Sequence, residues 1–315
     1  MQVAIIGGAG TVGTTAAYSL AVERPDIEIT LVDTAEEEAT GHAIDIRHAR
    51  TLDRLPQFAR NGTVSDVDAA PSAAESLMDA DLAVVTASVP RPSGAAKRGG
   101  RARFLELNRE LATRIAATLS SRDPLPVIVV TNPVDQITHR LWRETCWDRR
   151  FFLGYTLSET ARAADKISDI LRVPVGSVYC PTVGEHGEHV VPLFSRLTVD
   201  REPVTLSESE RDDVRDYIRD VPYDIIGLRG EEESSRWVTG QGIARLAQSV
   251  LDGGLDGDPI ALSVPLSGEY GFDDVCLSVP VQFGPDGVER VIEWGLSDEE
   301  RDRLDAAYYS IKGSL

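Results

Sequence analysis

His186 stands in Gly184-Glu185-His186-Gly187-Glu188-His189, between glycines and after a strand-like run. A loop histidine with flexible neighbours can approach a ligand, and its charge changes near neutral pH, which suits general acid–base work. Glu159 and Arg162 lie three residues apart on a candidate helix and so share a face. They are either a surface ion pair, or a carboxylate behind a catalytic histidine beside a guanidinium for a substrate carboxylate. Periodicity leaves both readings open. Asn132, in Thr131-Asn132-Pro133-Val134-Asp135, ends a strand candidate, where it could hydrogen-bond a ligand or form a turn and helix cap before Pro133. His186, Glu188 and His189 are also potential metal ligands. Gly187 disfavours the helix that would put both histidines on one face, and no other ligand cluster supports them, so no metal is expected.

A second group of residues is suited to phosphate. The strand-like Val3–Ile6 runs into Gly7-Gly8-Ala9-Gly10-Thr11-Val12-Gly13 and then a helical pattern, so Gly8, Gly10 and Gly13 satisfy G-x-G-x-x-G. Glycines there permit a tight turn, close backbone approach to a pyrophosphate and close helix–sheet packing. The helix N-terminus adds free N–H groups and partial positive charge. Asp33 follows 20 residues after Gly13, at the end of the second strand candidate. Its carboxylate can accept ribose hydroxyls and would repel a 2′-phosphate, which favours NAD over NADP.

The third group is a basic island. Residues 91–103 carry Arg91, Lys97, Arg98, Arg101 and Arg103 and no acid. The segment follows a strand candidate, at the carboxyl end of the sheet where ligands of open α/β sheets bind. A positive, glycine-containing loop at that place predicts an anionic substrate and a lid.

These groups need a scaffold. Strand candidates Val3–Ile6, Glu28–Val32, Leu82–Ala87, Val127–Thr131 and Phe151–Leu153 alternate with helical patterns Val12–Glu23, Thr40–Arg50, Arg103–Ser120 and Asp135–Thr145. Near-continuous apolar strands in β-α alternation predict an α/β fold: a doubly wound parallel sheet of Rossmann type. The second half reads as an α+β domain. It has helices at Ser158–Leu171, Ser207–Asp220, Arg236–Asp252 and Ser297–Ile311. Its strand-like runs are Val178–Pro181, Val190–Val199, Ile260–Pro265 and Val275–Phe283. The expected division is residues 1–154 for the dinucleotide and 155–315 for catalysis, substrate and oligomerisation.

Composition narrows the partners. The 315 residues carry 51 acids against 32 bases, a net charge of −19, and only Lys97, Lys166 and Lys312 are lysines. Such acidity argues against a nucleic-acid or anionic-membrane binder, and its self-repulsion points to a salt-rich cytoplasm. The start of the chain shows no signal-peptide pattern, and no apolar run approaches a membrane span. Cys146, Cys180 and Cys276 fit neither a disulfide framework nor a zinc site. The Tyr-x-x-x-Lys spacing of short-chain reductases occurs at Tyr308–Lys312, in a terminal helix far from the sheet.

Together these residues resemble the lactate/malate dehydrogenase family over nearly the whole chain. The glycine loop with Asp33, the segment Gly41-His42-Ala43-Ile44-Asp45-Ile46-Arg47-His48-Ala49, Thr131-Asn132-Pro133-Val134-Asp135, Gly184-Glu185-His186-Gly187 and Ser278-Val279-Pro280-Val281 carry the likeness. The resemblance implies NAD as cofactor, bound by Gly8, Gly10, Thr11, Val12, Gly13 and Asp33, with Asn108, Thr131 and Asn132 at the same site. It implies a small anionic 2-hydroxy or 2-keto acid as substrate. His186 would be the acid–base, and Glu159 would stand where the family has the aspartate that orients it. Arg162 would bind the C1 carboxylate, and Asn132 would help position the substrate. Ser235 would line the side-chain pocket. Arg91 matches the position that selects a second carboxylate, as in malate. A lid arginine, Arg101 or with another gap placement Arg98, would polarise the C2 carbonyl. Two departures stand out: the lid is lengthened between Arg91 and Arg101, and glutamate replaces aspartate at 159. The long lid keeps lactate open beside malate, and an NAD-binding protein without catalysis is a third reading. The family's members are usually tetramers or dimers, which implies a homo-oligomer.

Overall fold

The computed structural model describes residues 1–52, 55–57, 65–70, 73–90, 101–230, 235–255 and 257–315, with backbone alone for 73–74 and 101–103. Arg91, Lys97 and Arg98 therefore lie outside the described residues, as do the side chains of Arg101 and Arg103.

The first half is built on β1 (Gln2–Ile6), β2 (Glu28–Val32), β3 (Val67–Ala70), β4 (Leu82–Val85), β5 (Val127–Val129) and β6 (Phe152–Gly154). They lie in the order β3-β2-β1-β4-β5-β6 and all these pairings are parallel. The strands are apolar on both faces because helices cover both. Val3, Ile5, Ile29 and Leu31 pack with α1 (Thr11–Glu23) and α2 (Glu36–Leu52). The alternate residues Ala4, Ile6, Ala83 and Val85 pack on the other side. There they meet α3 (Ala73–Met78), α4 (Arg101–Leu119) and α5 (Val134–Thr145). The order reverses between β1 and β4, and such a switch point is where open α/β sheets bind ligands.

The second half contains α6 (Leu157–Leu171), β7 (Val178–Tyr179), β8 (Thr182–Gly184), β9 (Val190–Pro192), β10 (Thr198–Val199), β11 (Glu202–Pro203) and α7 (Glu208–Arg229). These are followed by α8 (Arg236–Leu251), β12 (Ile260–Ser267), β13 (Asp273–Gly284), β14 (Gly287–Val291) and α9 (Asp298–Lys312). The main sheet does not stop at β6. Gly154 pairs antiparallel with Ser263 on β12, and the sheet continues through β13, β8 and β9, with β14 also paired to β13. Strands β11, β10 and β7 form a small separate sheet.

Packing joins the halves as well. Gly240 on α8 lies against Thr15 on α1, where a Cβ would come within 2.5 Å of the threonine methyl. Helix α7 packs on α6 through Ala163, Ile167, Phe194, Val214 and Ile218. Its start is fixed by a capping box between Ser207 and Glu210. Among the described residues, no helix is long and apolar enough to cross a membrane.

Several expected elements shift. The sixth helix candidate ends at Asp220, but the observed α7 runs through Pro222 to Arg229. The run Val190–Val199, expected as one strand, is β9, a 3-10 turn at Phe194–Arg196 and β10, because the chain must change sheets. Strand β3 and helix α3 were not expected. β3 has only four residues, with Asp68 exposed in the middle, so it gives no apolar run. The third strand candidate ends at Val85 instead of Ala87 and the next at Val129 instead of Thr131. Phe151 belongs to a 3-10 turn before β6, which extends to Gly154. Helix α2 begins at Glu36, four residues before the expected Thr40.

Candidate active site

The loop from β1 to α1 is shaped by close approaches. Gly7 has φ +92°, and a Cβ there would meet the backbone of Ala87 at 2.3 Å. A Cβ on Gly13 would come within 2.3 Å of the Gly7 carbonyl oxygen and 2.9 Å of Thr86 Oγ1. Gly7 carries the strained backbone, so the glycine requirement begins one residue before the motif read from the sequence. Gly8 backs onto Leu31, while Gly10 is the N-cap of α1.

A cavity of about 610 Å³ opens over this loop, lined by Gly10, Thr11, Val12, Gly13, Asp33 and Ser88 among others. Asp33 also holds the loop in place. Its Oδ2 accepts from the Ala9 N–H at 3.0 Å, and its Oδ1 from the Ala35 N–H at 3.1 Å. The N-terminal N–H groups of α1 have no side-chain cap at Gly10 and border the cavity. Free helix-start N–H groups suit a pyrophosphate, and Asp33 at the end of β2 suits ribose hydroxyls, so these residues fit a dinucleotide.

A second cavity, of about 170 Å³, is lined by Asn132, Glu159, Arg162, His186, Ser235 and Thr239 together with one face of α7. Val12 and Phe104 line both cavities, so the two adjoin. The second one draws on every part of the fold. Asn132 follows β5, Glu159 and Arg162 come from the first turns of α6, His186 from the β8–β9 loop, and Ser235 is the N-cap of α8.

Within it, His186 Nδ1 lies 3.0 Å from Glu159 Oε1, and Arg162 Nη1 lies 3.5 Å from the same oxygen. Glu159 is 5% exposed. Burial pushes its carboxyl upward, but the close-lying His186 ring and Arg162 hold it below the ordinary range. Despite its extra methylene, Glu159 thus brings a carboxylate oxygen against the His186 ring.

The histidine is fixed a second way, which the sequence reading did not find. The backbone N–H of His186 donates to Asp135 Oδ2 at 2.8 Å, and Ser263 Oγ donates to Asp135 Oδ1 at 2.6 Å. Asp135 is 1% exposed, and burial pushes its carboxyl up to about 7. One buried side chain on α5 thus ties the β8–β9 loop that carries His186 to β12 of the second half.

The remaining candidates divide between walls and supports. Asn108 is fully buried; its Oδ1 accepts from Val89 N–H at 3.0 Å and its Nδ2 donates to the Asn132 carbonyl at 2.9 Å. Thr131 Oγ1 donates to the Ala87 carbonyl at 2.7 Å. Neither is among the described residues that line either cavity, so each sets the walls from behind. Ser235, Arg162 and Asn132 line the smaller cavity as expected. The lid calls, Arg91, Arg98 and the Arg101 side chain, fall outside the described residues. Tyr308 stacks on Phe272 at 4.5 Å and Lys312 is tied to Asp274, so this pair belongs to the packing of α9. Among the described residues, no group of three or more His, Cys, Asp or Glu side chains is placed to hold a metal ion.

Comparison with known proteins identifies the family to which the chain belongs. The model of the lactate/malate dehydrogenase NAD binding domain matches residues 1–153, and that of the family's alpha/beta C-terminal domain matches residues 156–315. The malate dehydrogenase of Halobacterium salinarum is 32% identical over 309 residues, covering 97% of this chain and 95% of that protein. The L-lactate dehydrogenase of Salinibacter ruber is 31% identical over 309 residues, covering 95% and 92%. The structure of malate dehydrogenase from Aeropyrum pernix superposes with a TM-score of 0.88 at 26% identity, covering 99% of this chain and 96% of that one. A Rossmann half with a dinucleotide cavity, joined to a half that brings histidine, carboxylate and arginine to its edge, is thus matched in sequence along both halves, and the chain belongs to the lactate/malate dehydrogenase family of NAD-dependent L-2-hydroxyacid dehydrogenases.

Proposed function

We propose that the chain interconverts L-malate and oxaloacetate with NAD. The observation that carries the reading is the meeting of His186, Arg162 and Asn132 in one cavity that shares Val12 and Phe104 with the dinucleotide cavity. NAD supplies the hydride acceptor in oxidation and, when reduced, the hydride donor. Because Nδ1 of His186 faces Glu159, Nε2 is the nitrogen left for the substrate. As C2 loses its hydride, neutral His186 takes the hydroxyl proton; in the reverse direction the imidazolium returns it. Ionised Glu159 stabilises that imidazolium. Arg162 grips the C1 carboxylate through its planar fork. Asn132 holds the substrate near the nicotinamide, and a lid arginine, Arg101 or Arg98, polarises the C2 oxygen.

Asp33 supports NAD over NADP, since a second anion at the end of β2 would repel a 2′-phosphate. Arg91 supports a dicarboxylate. The lengthened lid supports a second reading, pyruvate and lactate, and relatives of nearly equal identity carry both names. The division of labour follows the two halves, residues 1–154 for cofactor and 155–315 for substrate and assembly. Exposed Tyr18, Val22, Ile44 and Trp237 support a homo-oligomer, a dimer or tetramer, that covers them. The net charge of −19 supports a salt-rich cytoplasm.

The test is His186→Asn. The variant retains NADH binding, measured by fluorescence, and loses turnover. A variant that still turns over at the wild-type rate removes His186 from the role.

A further inference from the structure

Helix α7 presents Ile218, Arg219, Pro222, Tyr223 and Ile226 to the smaller cavity, a spacing that follows one face of a helix. Three of these are apolar walls. The other two are polar and incompletely satisfied. Tyr223 Oη is buried and has no hydrogen-bond partner among the described residues, and a buried hydroxyl without a partner is costly.

Arg219 is held along one edge only. Its Nε and Nη2 donate to the two oxygens of Asp220 at 3.0 and 3.1 Å, and Nη2 also reaches Asp216 Oδ1 at 2.5 Å. Among the described residues, no hydrogen bond engages Nη1. The two aspartates keep the guanidinium protonated and fix its plane. Asp216 is exposed and Asp220 half-exposed, so salt screens their charge more than that of a group inside the cavity.

The cavity therefore holds two sets of donors on different helices. One is Arg162 on α6, beside His186. The other is Nη1 of Arg219 with the hydroxyl of Tyr223 on α7. A substrate with a single carboxylate satisfies the first set and leaves the second unmet. We propose that Arg219 and Tyr223 form a subsite for the second carboxylate of a four-carbon 2-keto or 2-hydroxy diacid, and so determine specificity alongside the lid. This rests on the reading of the cavity as the substrate site, and it names the substrate class from α7 alone.

The experiment compares steady-state kcat/KM for oxaloacetate and pyruvate, with NADH in molar KCl, in the wild type, Tyr223→Phe and Arg219→Gln. A hydrogen bond to a charged group is worth about 1.5–3 kcal/mol, or roughly 10- to 150-fold. The oxaloacetate-to-pyruvate ratio is expected to fall at least about 10-fold in Tyr223→Phe and further in Arg219→Gln, chiefly through KM for oxaloacetate. NADH binding and thermal melting confirm that each variant is folded. Tyr223→Phe removes one atom, so it keeps the test available where Arg219→Gln fails to fold. An unchanged ratio in folded variants overturns the subsite, and so does a wild type that prefers pyruvate; both leave the dehydrogenase reading standing. A wild type that reduces neither acid overturns the dehydrogenase reading itself.

Discussion

Replacing Asp135 with asparagine should make the protein more stable at high pH, less stable at low pH, and a poorer catalyst at both. Burial is the largest influence on this carboxyl and raises it from 3.8 to about 7, against the hydrogen bonds from Ser263 and the His186 N–H. Between those values the folded chain binds a proton that the unfolded chain has released. Stability attributable to Asp135 therefore falls as pH rises from about 4 to 7 and is flat above. A displacement of about three pH units, at about 1.36 kcal/mol each, makes the ionised group cost about 4 kcal/mol at pH 8. Asparagine removes that cost. Its single carbonyl oxygen cannot serve both donors in the same way, so about 1–3 kcal/mol of hydrogen bonding is lost. The net expectation for Asp135→Asn is a gain of about 1–3 kcal/mol near pH 8 and a loss of similar size near pH 3, where the wild-type carboxyl is protonated in both the folded and the unfolded chain. Urea unfolding at the two pH values, in fixed molar KCl, measures it. A difference from wild type that does not change with pH refutes the reasoning. So does full kcat in the variant, because the His186 backbone would then not depend on this anchor.

Glu159→Gln should lower kcat by about 10²–10⁴-fold with NADH affinity kept, since the amide cannot stabilise the imidazolium; stopped-flow NADH oxidation and fluorescence titration check the two halves. Glu159 titrates below the ordinary carboxyl range, so its favourable pairing is present above the unfolded value and lost only as pH falls through the lower folded one. Acid unfolding of wild type should accordingly show a loss of stability as pH falls below the ordinary carboxyl value of 4.5 that Glu159→Gln lacks. Asp33→Ser should raise NADPH use relative to NADH by about 10-fold or more, read from paired kcat/KM values, by removing the charge that opposes a 2′-phosphate. Raising KCl from about 0.1 to 2 M should increase the unfolding free energy, as screening relieves the repulsion of a −19 chain; an unfolding series in KCl shows the trend or its reverse.

The parts of the site that were legible in the sequence are those fixed by local spacing. The glycine loop, Asp33, Asn132, the Glu159–Arg162 pair and His186 each sit in a short segment whose residue types state a chemistry. What lay hidden was set by distant chain. Asp135 reads as a helix residue after Pro133, and only folding brings it to the His186 N–H, 51 residues away. Asn108 and Thr131 look like ligands by position, yet their bonds run to backbone behind the cavity walls. Tyr223 and Arg219 lay beyond or at the edge of the expected helix, because Pro222 reads as a stop while α7 continues through it. The continuous sheet was equally invisible, since its two halves meet through the Gly154–Ser263 pairing, 109 residues apart. Parallel strands buried on both faces were the easiest elements to read, and the four-residue β3 with its exposed Asp68 the hardest.

The central claim is an NAD-dependent dehydrogenase of a small dicarboxylic 2-hydroxy acid. It is tested most directly by initial rates of NADH oxidation by the wild-type protein in molar KCl, with oxaloacetate and pyruvate compared in parallel. The account predicts robust turnover with kcat/KM for oxaloacetate at least about tenfold that for pyruvate, the discrimination that one charge-assisted contact supplies. Equal or greater efficiency with pyruvate would contradict the dicarboxylate, and no oxidation of NADH with either acid would contradict the enzyme.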